Sequence, residues 1–200
     1  MRVIAGKYRS RPLRSLRGMD IRPTSDRLRE TLFDVLCAGN PEALAGTIWL
    51  DLYAGTGAVG IEALSRGAAK VYFAESSKAA ADLIAANLKS LGIAACFEIA
   101  RTETAKAIRQ WGSGGSVFPI GADFVFLDPP YRLKDEYAKT LSALGETNLL
   151  RPDAVIIAEH EKRFDPGPDF GRWHRYRKLE QGDAALSFYQ LGRRDWSSKV

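Results

Sequence analysis

Histidine, cysteine and methionine are scarce in this chain of 200 residues, with two of each. Cys37 and Cys96 lie far apart without metal-ligand spacing, so neither a disulfide framework nor a metal site is expected, and nothing implies an oxidising compartment. Cys96 opens an apolar run and is expected in the core. His160 and His174 stand alone, with no carboxylate or cysteine pattern around them, and read as surface or edge-strand residues rather than catalysts. No apolar run approaches the roughly 20 residues a membrane span needs. The basic N-terminus has no apolar stretch behind it, so no secretory signal is expected and the expected location is the cytoplasm. A G-K-[ST] phosphate loop is also missing, which disfavours ATP or GTP hydrolysis.

What is present has the balance of a globular chain, with 46% apolar and 26% charged residues, and the length suits one domain over residues 1–200. The net charge of +5 is unevenly spread. Residues 1–30 hold nine Lys/Arg against Asp20, Asp26 and Glu30, whereas the other 170 residues hold 20 Lys/Arg and 21 Asp/Glu. All of the excess therefore lies in the first 30 residues. A localised basic stripe is how a protein concentrates itself on a polyanion, so this segment, part of a basic N-terminal extension over residues 1–36, is expected to touch phosphates. A solvated basic face is the plainer alternative.

Within that extension, 2–17 reads as an extended ribbon. A helix begins after Arg22-Pro23-Thr24-Ser25, with Thr24 or Ser25 as N-cap. Leu28, Leu32, Val35 and Leu36 form one apolar stripe; Arg27 falls off it and Arg29 lies near its edge. Strands at 47–53, 70–75, 96–101, 123–128 and 153–159 then alternate with helices at 59–66, 77–91, 103–111 and 135–145, and 112–121 is a glycine-rich loop. Such alternation indicates a parallel sheet covered on both faces. Residues 173–179 and 185–191, joined by Gln181-Gly182-Asp183, read as a terminal hairpin that adds one antiparallel edge strand.

Two motifs carry chemistry. Asp51-Leu52-Tyr53-Ala54-Gly55-Thr56-Gly57 follows the first strand and leads into a helix. Glycine lets the backbone turn sharply and approach a ligand closely, and in open parallel sheets ligands bind beyond the carboxyl ends of the strands. Glu75 ends the next strand, where an acid can accept hydrogen bonds from both ribose hydroxyls. Asp51 would repel a pyrophosphate but suits S-adenosylmethionine, which lacks phosphate and carries a sulfonium and an ammonium. Alternatively the segment is a glycine turn with a capping acid.

The second motif, Asp128-Pro129-Pro130-Tyr131, closes the most apolar strand. Two prolines stiffen the loop, so the Asp128 carboxylate and the Pro129 carbonyl become fixed acceptors for the two hydrogens of a base amine. Such a grip favours a pyramidal nitrogen with its lone pair aimed at a donor methyl, which is orientation plus electrostatic stabilisation. Tyr131 offers a ring on which a flipped base can stack. The plainer reading is a turn that ends a strand.

The run from Asp51 to Ala68, DLYAGTGAVGIEALSRGA, followed by DPPY, resembles the amino-methylating branch of the Rossmann-like methyltransferases. Together with RVIAGKYRSRPL at 2–13 and RPTSDRLRETLFDVL at 22–36, it resembles the RsmD family of bacterial 16S ribosomal RNA guanine-N2 methyltransferases. The resemblance implies a Rossmann-like class I α/β fold with a seven-stranded, mostly parallel sheet, S-adenosylmethionine as methyl donor, and 16S ribosomal RNA as partner, free or in an assembling small subunit. A monomer is expected. By position, Asp51, Ala54, Gly55 and Gly57 would line the methionine part of the donor, Glu75 the ribose, and Thr102 and Glu103 the adenine. Asp128, Pro129 and Tyr131 would hold the target base, and Arg22, Thr24, Arg27 and Arg29 would contact RNA or order its loop. An adenine-N6 DNA or RNA methyltransferase is the nearest rival, because the same clamp handles either amine; the chain lacks room for a large target-recognition domain. A non-catalytic RNA-binding assembly factor is the rival from another class, and would not need the intact Asp128 and glycine loop. Glu159 ends a strand on the ligand side. Arg172, Arg175, Arg177 and Lys178 either widen an RNA surface or protect a sheet edge with charge.

Overall fold

A computed structural model describes residues 1–15, 25–113 and 121–192. Its centre is an eight-stranded sheet, formed by β1 (Ile48–Leu52), β2 (Lys70–Ala74), β3 (Phe97–Ala100), β4 (Ala122–Leu127), β5 (Leu150–Glu161), β6 (Asp169–Phe170), β7 (Trp173–Gln181) and β8 (Ala184–Leu191). The order across the sheet is β3-β2-β1-β4-β5-β8-β7-β6. The first five neighbours pair in parallel and the last three strands antiparallel.

The count of seven strands is corrected to eight by the two-residue β6, which is too short to leave a periodic signal. The single antiparallel edge strand expected from the hairpin is likewise replaced by three. Gly182, at φ 62°, makes the tight turn that folds β8 back on β7, and β8 is buried at its first six positions. A strand buried on both faces belongs inside a sheet, so β8 lies against β5 while β7 and β6 take the outer places.

Helices α1 (Asp26–Leu36), α2 (Ala58–Ser65), α3 (Lys78–Ser90), α4 (Thr104–Gly112) and α5 (Asp135–Gly145) complete the chain. Strand side chains alternate between the two faces, and the core divides accordingly. Trp49, Val71, Phe73, Phe126 and Ile157 pack with α1, α2 and α3 on one face. Leu50, Leu52, Tyr72, Val125, Leu127 and Ile156 pack with α4 and α5 on the other.

Residues 1–15 are docked on the first face. A bridge between Arg2 and Pro12 closes the ribbon around a short 3-10 turn at Gly6–Tyr8. The backbone N–H groups of Ile4 and Ala5 donate to the Glu62 carboxylate at 2.8 and 2.9 Å, and Tyr8 N–H donates to Ser65 Oγ at 2.9 Å. Arg14 and Asn87 exchange two further bonds. Gly6 lies so close to α2 that a Cβ there would overlap the Ser65 carbonyl.

Helix α1 starts as expected: the Ser25 hydroxyl caps it by accepting from Leu28 N–H at 3.1 Å. Its buried face is displaced from the expected stripe and comprises Leu28, Arg29, Leu32 and Phe33. Arg29 can lie inside because Asp26 and Glu62 neutralise it, at 2.9 and 3.9 Å. Two more expectations are corrected. His160 is fully buried, since β5 is interior and Ser187 Oγ and the Glu161 carbonyl satisfy its two ring nitrogens. Cys96 is exposed, because it sits at φ 69° in the turn before β3 rather than in the strand. Among the described residues, no helix is long and apolar enough to cross a membrane.

Candidate active site

The parallel register aligns the ends of four strands. Leu52 pairs with Ala74 on β2 and Leu127 on β4, and Leu127 pairs with Ala158 on β5. One residue further along, Glu75, Tyr53, Asp128 and Glu159 fall in a single row. The Asp128 N–H, which donates to the Leu52 carbonyl at 3.4 Å, continues the ladder into that row. By alternation the row lies on the α1–α3 face, and Asp51 lies on the same face one pleat deeper.

Tyr53 breaks the row. Its φ is 61°, a left-handed conformation that costs a bulky residue strain. The tyrosine is thereby turned to the opposite face, where its hydroxyl meets Glu136 and Thr140 of α5 at 3.0 and 2.8 Å. The tyrosine side chain thereby leaves the face on which Glu75 and Asp128 stand either side of it, and packs against α5. Sequence reasoning missed Tyr53; nothing in its side chain signals a positive φ.

The loop below is built for close approach. Gly55 and Gly57 both have positive φ, at 55° and 75°, and a Cβ on Gly57 would come within 3.1 Å of Ile84. Glu75 holds the loop: its carboxylate accepts from Gly55 N–H at 2.9 Å and from Ser77 N–H at 2.7 Å. Asp51 is 2% exposed and accepts from Gly60 N–H at 2.9 Å. Burial pushes its carboxyl up to about 7, with the Gly60 hydrogen bond opposing and the charge of Glu75 adding to the rise. Thr102 and Glu103 follow β3 at the start of α4, half-buried and exposed respectively. Glu75 N–H donates to the Ala100 carbonyl at 3.1 Å, which ties that corner to the Glu75 end of the row.

Asp128 is half-buried and Pro129 buried, whereas Pro130 is exposed and Tyr131 half-buried. Desolvation holds the Asp128 carboxyl well above the usual carboxylate range, and the charges of Glu159 and then Asp51 push the same way. The structure thus brings the glycine loop, Glu75, Asp51 and Asp128 to one edge and one face.

The basic extension divides. Arg27 is exposed and lines two adjoining hollows. One, of about 520 Å³, is also lined by Arg2, Arg9, Ser10, Asp26 and Glu30; the other, of about 200 Å³, reaches Glu159 and the β7–β8 turn. Arg29, expected to contact RNA or to order the loop, has a fully buried side chain that cannot reach an external RNA and donates to the Arg2 carbonyl and the Asp26 carboxylate. Arg22 and Thr24 lie outside the described residues. On β7, Arg175 and Lys178 pair with Asp165, while Arg172 and Arg177 lie over the rings of Trp173 and Phe188. The anchor Glu62 also escaped the sequence reading, although one acid in the otherwise apolar helix VGIEALS signals a buried partner.

Known proteins share this architecture. The family model described as Conserved hypothetical protein 95 matches residues 1–190. Ribosomal RNA small subunit methyltransferase D of Haemophilus influenzae is 38% identical, over 81% of this chain and 79% of that protein. The Escherichia coli protein of the same name is 31% identical, over 95% of this chain and 89% of its own. The solved structure of yhhF from Escherichia coli superposes with a TM-score of 0.79 at 32% identity, covering 96% of this chain and 97% of that one.

Proposed function

The chain belongs to the RsmD family, and on that premise we propose that it is a methyltransferase that moves a methyl group from S-adenosylmethionine to the exocyclic N2 amine of a guanine in 16S ribosomal RNA. The observation that carries this reading is the row at the strand ends, where the register sets Glu75 and Asp128 on one face either side of β1, with Tyr53 turned away from it. A donor site and an acceptor grip thereby share one wall.

The residues suit the donor. Glu75 would hold the ribose and Asp51 the cationic methionine end, with Ala54, Gly55 and Gly57 lining the turn between them and Thr102 and Glu103 bordering the adenine. Positive φ at Gly55 and Gly57 and the crowding around Gly57 leave no place for side chains. When bound, S-adenosylmethionine supplies a methyl group on a positively charged sulfur.

A base amine is a poor nucleophile because its lone pair is delocalised into the ring. Asp128 and the Pro129 carbonyl accept its two hydrogens and favour the pyramidal form, with Tyr131 available as a stacking platform. Bound there, the donor would supply the methyl group as an electrophile, leaving its electron pair on sulfur, and the methylated nitrogen would shed one proton. Asp128, which would already accept one of the amine hydrogens, is the group placed to take that proton. The chain acts as one domain, as a monomer in the cytoplasm, on RNA within an assembling small subunit. Arg22, Thr24 and Arg27 touch the RNA.

Nucleoside analysis and position mapping of ribosomal RNA, from cells with and without the protein, tests the reading. One N2-methylguanosine in 16S RNA should vanish without the protein and return with the wild-type chain. Asp128→Ala should leave donor affinity near wild type while lowering turnover about a hundredfold or more. N6-methyladenosine as the product, or unchanged turnover in the variant, overturns it.

A further inference from the structure

On β7 most side chains have a structural partner. Asp165 and Glu180 neutralise Arg175 and Lys178, while Trp173 and Leu179 pack into the two cores. Tyr176 and Arg177, between them, do neither. Tyr176 is 52% exposed, one of two exposed large apolar side chains among the described residues. Arg177 is exposed as well, and among the described residues no carboxylate pairs with it; its contact is the Phe188 ring.

A β-bulge brings the two together. Arg175 pairs with Tyr189 and Arg177 with Phe188, so Tyr176 is an extra residue without a partner on β8. Strict alternation would send neighbouring side chains to opposite faces, but a bulge re-aims the strand, and both residues lie against Phe188. The Tyr176 and Phe188 rings are 6.2 Å apart and tilted by 56°, and the Arg177 guanidinium is 5.9 Å from the Phe188 ring. Phe188 belongs to the core on the α1–α3 face, the face of the Asp128 row. Protection of a sheet edge accounts for a charge here, but not for an exposed ring beside it.

We propose that Tyr176 and Arg177 form a second RNA contact, a stacking platform for an unpaired nucleotide near the target guanine. This rests on the ribosomal RNA reading above and adds a contact outside the N-terminal extension. The half-exposed ring offers a surface to the base, and the uncompensated guanidinium a charge to the phosphate. Three strand spacings separate β7 from β4, which sets the platform roughly 15 Å from Asp128. A few nucleotides of extended RNA span that distance.

Fluorescence titration of a small-subunit RNA fragment spanning the mapped target, across a salt series, tests the platform. Tyr176→Ala should weaken binding about tenfold, the scale of one base stacked on an aromatic ring, and leave the salt slope unchanged. Tyr176→Phe keeps the ring and should stay within about twofold of wild type. Arg177→Ala should weaken binding and lower the slope of log affinity against log salt by about one. S-adenosylmethionine affinity should match wild type in all three, which separates a lost contact from a lost fold. Should Tyr176→Ala not fold, Tyr176→Leu decides, because it keeps apolar packing on Phe188 without an aromatic face and should weaken binding equally. Wild-type RNA affinity and slope in folded variants overturn the proposal and leave the methyltransferase reading standing. Weakened binding to small-subunit particles alone, with naked RNA bound normally, also overturns it, since the face would then meet protein. If the wild-type chain neither binds nor methylates ribosomal RNA, the underlying reading fails first.

Discussion

Asp51 illustrates how one side chain couples burial to ligand charge. Its carboxyl is raised to about 7, first by desolvation and then by Glu75, so near neutral pH it is split between its two forms. A cationic ligand beside it favours the ionised form. The sign follows: below pH 7 the ligand must displace a proton, and above it the carboxylate is already charged. Affinity for S-adenosylmethionine should therefore strengthen about tenfold per pH unit as pH falls short of 7 and is brought up toward it, then level off above. Calorimetric titration between pH 5.5 and 8.5 checks this, and Asp51→Asn should bind weakly with that pH dependence gone. A wild-type affinity independent of pH would separate Asp51 from the cation.

Among the elements, the N-terminal ribbon depends most on a single buried group. Glu62 on α2 is fully buried, accepts from two ribbon amides, and pairs with Arg66 and, more distantly, Arg29. Removing it strands those amides and leaves Arg29 inside with Asp26 as its remaining acid. Breaking a buried ionic network from one side typically costs about 3 kcal/mol. Glu62→Ala should lose stability on that scale in urea denaturation. It should also speed hydrogen exchange at Ile4 and Ala5 by about a hundredfold at equal global stability, a local effect that a general loss of packing does not produce. Equal protection of those amides in both proteins would show that the ribbon is held elsewhere.

At the scale of the whole molecule, charge is segregated: the basic excess lies in residues 1–30, and Arg2, Arg9 and Arg27 of it line one hollow. Arg27 lines both hollows, and on the proposed function it would neutralise a phosphate of the RNA. Arg27→Ala should weaken RNA binding at low salt and reduce the slope of log affinity against log salt by about one. Filter binding across a salt series reads both, and an unchanged slope would remove Arg27 from the interface. Arg29→Ala, by contrast, should act through stability, because that guanidinium is enclosed.

The sequence by itself determined the strand–helix alternation and the chemistry of the strand ends. Near-continuous apolar runs, a glycine turn and a stiff proline turn are local signals, and Asp51, Glu75 and Asp128 stood out because each ends or flanks such a run. Capping of α1 by Ser25 and the turn at Gly182 were legible for the same reason. Tertiary structure alone decided what depends on partners distant in the chain. Arg29 went inside because Glu62 waits 33 positions away, β8 became an interior strand because β5 offered it an edge, and Tyr53 vacated the ligand face because α5 supplies its hydroxyl with partners. Glu159 gained its place beside Asp128 through the β4–β5 register, which no local pattern encodes. Spacing along a strand is written in one segment, whereas burial and alignment are set by whichever segment packs against it.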